Sequence, residues 1–312
     1  VNRQLGLALA AGLLSALLFL SLAKGIALGA LLSYVAPLPL IMAGLALGTR
    51  AAIVAGLAAM AAVALVTGGF SALPYAISAV VPAVVVANRA LLRHDADDGS
   101  VHWYPPGLVL AWLTAAGLAL MLCGSALLIG TPEGVEGSVS KLLGAALDLM
   151  AADLPADRRA VVIGLWAPLF PALVVGSWLL MTVLNACGAQ GLLARLGRAR
   201  RPSPDYRELW LPDWLAIGLV VTAVLAILAG GDVAYVAASA AAVLLIPFGF
   251  LGLAVIHRWA RGRSNPGLVL VAVYGLLFLV FGFAAPAVAG LGLARFWTMR
   301  FRRHESGGGM EG

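Results

Sequence analysis

Residues 267–294 read GLVLVAVYGLLFLVFGFAAPAVAGLGLA, an unbroken run without Asp, Glu, Lys or Arg. An α-helix rises about 1.5 Å per residue, so about 20 residues cross the roughly 30 Å of hydrocarbon in a bilayer. Eight further runs have comparable length and the same freedom from charge: 5–23, 26–48, 51–67, 72–88, 107–129, 160–186, 214–231 and 233–256. Every charged residue falls between these runs or at their ends. Lipid offers no partner to a free backbone N–H or C=O, so each run must satisfy its own backbone as a helix. Strict apolar–polar alternation is absent, which excludes a membrane β-barrel.

Working outward from these runs, the composition agrees. Charged residues make up 11% of the 312 positions, against about 25% in an ordinary soluble domain. Hydrophobic residues make up 62%, and the mean hydropathy is +1.01. A soluble globule needs more polar surface than this chain can supply. Soluble enzymes, nucleic-acid-binding domains and disordered linkers are therefore excluded. The fold class is all-α: a polytopic helical membrane protein with about eight to ten transmembrane helices.

The order of runs and connectors divides the chain. Residues 1–92 form a four-segment hydrophobic block, followed by a polar loop at 93–106. A middle transmembrane pair at 107–190 encloses the acidic stretch 130–159, in which Lys141 to Leu154 has helical apolar spacing suited to a membrane surface. A basic loop follows at 191–213, with Trp210 and Trp214 placed as an aromatic belt. The C-terminal transmembrane block covers 214–303, and 304–312 reads as a disordered tail. Lys24-Gly25, Thr49-Arg50 and Asp232 are very short connectors that predict tight hairpins or helices broken inside the membrane. Ser21-Leu22-Ala23 resembles a signal-peptidase site, but the spans that follow at once make an uncleaved first helix the simpler expectation.

Basic residues orient membrane proteins because they stay on the cytoplasmic side. With the N-terminus inside, Arg3, Arg50, Arg89, Arg93 and the eight arginines from Arg195 to Arg263 are cytoplasmic. Only Lys24, Lys141, Arg158 and Arg159 then face out. The chain is expected in a bacterial inner membrane in this orientation, where the net charge of +6 meets an anionic leaflet. Nine crossings would put Arg295, Arg300, Arg302 and Arg303 outside. An even count restores the rule, as does a turn at Pro286 that divides 267–294 into two short helices.

The chemistry of the runs is sparse. Coupled carriers usually hold a carboxylate or charged pair within the membrane, and none of the nine runs has one. Asp232 lies nearest, at a Gly-Gly-Asp turn, where a solvated turn residue is the plain reading. Walker A, HExxH and GxSxG motifs are absent. The four histidines are scattered, and Cys123 and Cys187 form no CxxC, so no metal site, cofactor or catalytic set is expected and the chain is not read as an enzyme.

Two features remain. Ala8, Gly12 and Ala16 recur every four residues, as do Ala51, Ala55 and Ala59. Small residues let helices approach closely; such a stripe packs the chain on itself or docks a membrane partner. Prolines at 37, 39, 74, 82, 168, 171, 247 and 286 sit in or beside the runs and free backbone carbonyls. Tyr34, Asn185, Tyr235 and Ser239 are the polar candidates for a ligand site, with helix–helix hydrogen bonding as their structural alternative.

The segments WLPDWLAIG (Trp210 to Gly218), GLAVIH (Gly252 to His257), LVLVAVYGLL (268–277) and GLGLARFW (290–297) resemble the DUF2232, or YybS-like, family of predicted bacterial membrane proteins. Arg295 stands where that pattern leads us to expect Asp. The resemblance implies a bundle like that of the substrate-binding S components of energy-coupling-factor transporters, and a distant likeness to the cell-shape protein MreD. The first implies a small-molecule-binding or transport component that docks on a coupling subunit, with Ala8, Gly12 and Ala16 as docking face. The second implies a membrane scaffold. The lipid bilayer is the expected partner in either case, and nucleic acid is not.

Overall fold

The computed structural model describes residues 2–22 and 28–307. The hairpin expected at Lys24-Gly25 lies outside them, as do residues 308–312 of the expected tail. The helices are α1 (Asn2–Leu20), α2 (Gly29–Val35), α3 (Pro37–Leu47), α4 (Thr49–Thr67), α5 (Ala72–Tyr75), α6 (Val81–Ala90), α7 (Pro106–Ala126), α8 (Gly134–Met150), α9 (Ala156–Trp166), α10 (Phe170–Arg195), α11 (Asp213–Leu228), α12 (Gly231–Arg261), α13 (Pro266–Leu279) and α14 (Phe281–Gly307). Seven helical segments among the described residues are long and apolar enough to cross a membrane, and Asp213–Leu228 and Pro266–Leu279 are shorter apolar helices.

Two compact units appear, each discontinuous in sequence. The first comprises Val1–Leu113 with Ser177–Pro204, and the second Thr114–Gly176 with Asp205–Gly312. In the first unit, α1 and α4 turn small residues inward and large ones outward. Ala8, Ala16, Ala52, Ala55 and Ala59 are buried, whereas Leu13, Leu17, Leu57 and Leu65 are exposed. This inversion follows from the solvent. Acyl chains are as apolar as leucine, so close backbone approach replaces hydrophobic burial as the packing force.

In the first unit, α1 packs on α4 along the small-residue stripe. A Cβ at Gly12 would run into the carbonyl oxygen of Ala55. The face formed by Ala8, Gly12 and Ala16, anticipated as a docking surface, is thus filled by α4 of the same chain. The 26–48 run is divided at Ala36 into α2 and α3, because Pro37 and Pro39 cannot donate to the preceding turn. The polar loop at 93–106 contains a short antiparallel hairpin, β1 (Arg93–Asp95) with β2 (Val101–Trp103), in the register Arg93↔Trp103 and His94↔His102. Its Asp-Asp-Gly-Ser turn is closed by Asp98 Oδ1, which accepts from the Ser100 backbone at 2.8 Å.

In the second unit, α12 is the central element. A Cβ at Gly252 would meet the carbonyl of Val288, and one at Gly292 would meet the carbonyl of Phe248. Residue numbers on α14 rise as their partners on α12 fall, so the two helices run antiparallel. The rings of Phe248 and Phe296 meet edge to face at 5.5 Å. The run 267–294 is therefore not one span. It breaks at Val280, between α13 and α14, and Pro286 lies inside α14 rather than at the turn.

Candidate functional site

Proline frees carbonyls, and at two breaks a side chain from a distant helix bonds the freed group. The 160–186 run is interrupted at Ala167–Leu169 by Pro168 and Pro171. Pro171 is the residue whose N–H an α-helix would direct to the carbonyl of Ala167. The Tyr235 hydroxyl donates to that carbonyl at 2.6 Å, alongside the Phe170 N–H. A π-turn over Ala76–Val80 follows the same rule. In its i to i+5 register, Pro82 would be the donor to Ile77. The indole N–H of Trp178 takes that place at 3.2 Å.

Side chains also bond the backbone around the break before Pro37. Ser15 Oγ donates to the Ala36 carbonyl at 2.5 Å and lies 2.6 Å from the Tyr75 hydroxyl. Because a carbonyl only accepts, the Ser15 proton points to Ala36 and Tyr75 donates to Ser15. Tyr75 is completely buried, with Phe19 edge-on at 4.9 Å. One turn earlier, Asn185 Nδ2 donates to the carbonyls of Tyr34, at 2.7 Å, and Met181, at 2.8 Å. The Tyr34 hydroxyl pairs with Ser177 Oγ. Ser177, Met181 and Asn185 share one face of α10 by their four-residue spacing.

The four candidate ligand residues thus fall into two pairs. Tyr34 and Asn185 meet in the first unit. Tyr235 and Ser239 lie one turn apart on α12 in the second unit. Asn185 uses both amide hydrogens and Tyr235 uses its hydroxyl in helix–helix bonding. Tyr34 and two buried hydroxyls keep polar capacity. Tyr34 is 49% exposed with its hydroxyl on Ser177, while the buried hydroxyls of Thr182 and Ser239 have no hydrogen-bond partner. Thr182, on α10 beside Met181, was not singled out from the sequence. Only a map of which faces are buried distinguishes it from any other threonine in a span.

Asp232 has a structural task. Its Oδ1 accepts from the Val135 backbone at 2.7 Å and so caps the N-terminus of α8. Gly134 adopts φ +65 there, and a Cβ on it would strike the same carboxylate. His257, read as isolated, pairs with the Tyr274 hydroxyl at 2.9 Å.

The connectors carry the strongest charge contacts. Arg201 is 7% exposed, and its Nη1 donates to the carbonyls of Ala90, at 2.9 Å, and Tyr104, at 3.2 Å. A guanidinium at the C-terminal end of α6 also meets the negative end of the helix dipole. Gln190 Nε2 donates to the Arg201 carbonyl at 3.0 Å. The expected basic loop is thereby pinned to the hairpin. Arg89 lies over the Trp112 ring at 4.0 Å, and the Trp112 indole donates to the Tyr104 hydroxyl at 3.0 Å. In the second unit, Arg207 bonds Asp205 through its side chain and backbone and holds that carboxyl below its usual range. Among the described residues, no group of three or more His, Cys, Asp or Glu side chains is placed to hold a metal ion.

These features define a polytopic helical membrane protein whose polar groups sit at proline-broken helices. The chain belongs to DUF2232, a family described as predicted membrane proteins, whose pattern it matches over residues 13–294. No curated protein and no solved structure matches it.

Proposed function

We propose that this protein is the small-molecule-binding component of a membrane transport system, and that Tyr34, Ser177, Asn185 and Thr182 form its polar recognition site. One observation carries this reading: the half-exposed Tyr34–Ser177 hydroxyl pair stands on a helix break that Asn185 holds in place. A hydroxyl pair both donates and accepts, and it suits an uncharged polar ligand group. The fixed backbone beneath it limits the ordering cost of binding. The charge-free runs around it favour energy supplied by a partner subunit over an internal coupling ion. In this reading the protein sits in a bacterial inner membrane with its N-terminus in the cytoplasm, as its arginine distribution favours.

A scaffold role has no comparable support. The stripe of Ala8, Gly12 and Ala16, expected to dock a coupling subunit, is packed inside the chain, so in the proposed reading such docking uses another face. The test is mass spectrometry of protein purified from native membranes. A defined small molecule should accompany the wild type and be depleted in a Tyr34→Phe, Ser177→Ala double variant. Recovery of lipid alone from both would overturn the proposal.

A further inference from the structure

The antiparallel register of α12 and α14 constrains the helix between them. Gly252 lies against Val288, and Phe248 lies against Gly292. Continuing that register places the start of α14 opposite the last turns of α12. The chain therefore leaves α12 at Arg261 and returns at Phe281 to the same end of it. All of α13 lies in that excursion. Its Tyr274 touches His257, also in the last turns of α12. A helix of 14 residues is about 21 Å long, short of the roughly 30 Å of hydrocarbon.

None of the residues of α13 is buried, and it has no charged side chain. Val271 and Phe278 are 70% and 87% exposed. A helix that is apolar on every face and only partly covered by α12 and α14 is stable in acyl chains rather than water. The end it occupies carries Arg258, Arg261 and Arg263. Arg263 lies over the half-exposed Trp259 ring at 4.4 Å, a Trp–Arg pair suited to the headgroup boundary. Asp205, the acidic group that senses Arg261, is already bonded by Arg207.

We propose that α13 is not a span but a monotopic segment. It enters and leaves one leaflet from the side of Arg261, rests among the outer acyl chains, and is secured there by anionic headgroups on Arg261 and Arg263. The break at Val280 fits this placement. The Val280 N–H bonds the Leu276 carbonyl at 2.9 Å, and its own carbonyl accepts from the N–H groups of Phe283, at 3.0 Å, and Ala284, at 2.9 Å, so the residue at the turn has both backbone groups satisfied.

Nitroxide depth scanning tests the proposal. Single cysteines at positions 268 to 279, in full-length protein carrying Cys123→Ala and Cys187→Ala, are spin-labelled. The protein is placed in vesicles of phosphatidylethanolamine and phosphatidylglycerol at three to one, a roughly native composition. Oxygen and nickel-chelate accessibilities should give one shallow band with a helical ripple and no approach to the bilayer centre. Replacing phosphatidylglycerol by phosphatidylcholine, or introducing Arg261→Gln with Arg263→Gln, should shift that band toward water. A depth profile that climbs through the bilayer centre would overturn the proposal. So would dipolar broadening between labelled molecules, which would assign the face to a second copy. Unchanged depth in both the lipid arm and the arginine variant would remove the headgroup part.

Discussion

The side-chain amide of Asn185 and the main-chain carbonyl of Tyr34 are joined at 2.7 Å, across 151 positions of sequence. This bond ties α10 to the last turn before the Pro37 break. Asn185→Leu keeps the volume and removes the side-chain donor to the carbonyls of Tyr34 and Met181. The expected cost is about 1–2 kcal/mol, within the range for polar contacts between membrane helices. Tyr34→Phe leaves the carbonyl bond intact and should unfold at the wild-type temperature. Thermal unfolding in detergent, followed by size-exclusion fluorescence, separates the two. Equal melting temperatures for wild type and Asn185→Leu would show that the bond does not hold the break.

Gly12 admits no side chain, because the Ala55 carbonyl occupies the position of its Cβ. Gly12→Leu should push α1 from α4 and cost about 1–3 kcal/mol or more through overpacking. Gly6→Leu places the same side chain on the same helix where nothing lies within 4 Å. It should be neutral. Monodisperse yield after detergent extraction distinguishes them, and equal yields would break the assigned α1–α4 contact.

Arg201 bridges the end of α6 to the residue after β2. Lysine keeps the charge but has one point donor in place of a planar fork. Arg201→Lys should release the hairpin, at about 1–3 kcal/mol for a buried carbonyl left without its donor. The readout is limited trypsin digestion in detergent, where cleavage after Arg93 should quicken several-fold. An unchanged rate would show the hairpin to be held without Arg201.

The Asp205–Arg207 pair responds to acid. Hydrogen bonds from the Arg207 side chain and backbone depress the Asp205 pKa below its ordinary value. A carboxyl with a depressed folded pKa stabilises above its unfolded pKa of about 3.9 and loses that contribution as pH falls through the folded value. The pair should therefore be intact throughout neutral and mildly acidic conditions and open only below the usual carboxylate range. The Arg207 amide resonance in labelled protein should report this, with Asp205→Asn lacking the transition. A midpoint near neutrality would contradict the assigned cause.

Much of the architecture is written in local chemistry. The absence of charge over 51–67 and 233–256 requires helices wherever lipid is the solvent, and the structure has α4 and α12 there. The Ala8, Gly12 and Ala16 spacing identifies a packing face, but a one-dimensional pattern cannot say which helix fills it. Prolines identify freed carbonyls. Their partners, Trp178 for Ile77 and Tyr235 for Ala167, lie 101 and 68 positions away and depend on tertiary contact. Asp232 reads as a turn carboxylate because its acceptor role toward α8 is equally remote. The 267–294 run is the instructive case. Hydropathy measures what a segment can cross, whereas the Gly252–Val288 register determines where it begins and ends.

That register also has a temporal meaning. When translation has just completed α12, the groove around Phe248 and Gly252 has no occupant, and it stays open to the insertion machinery until α14 has been made.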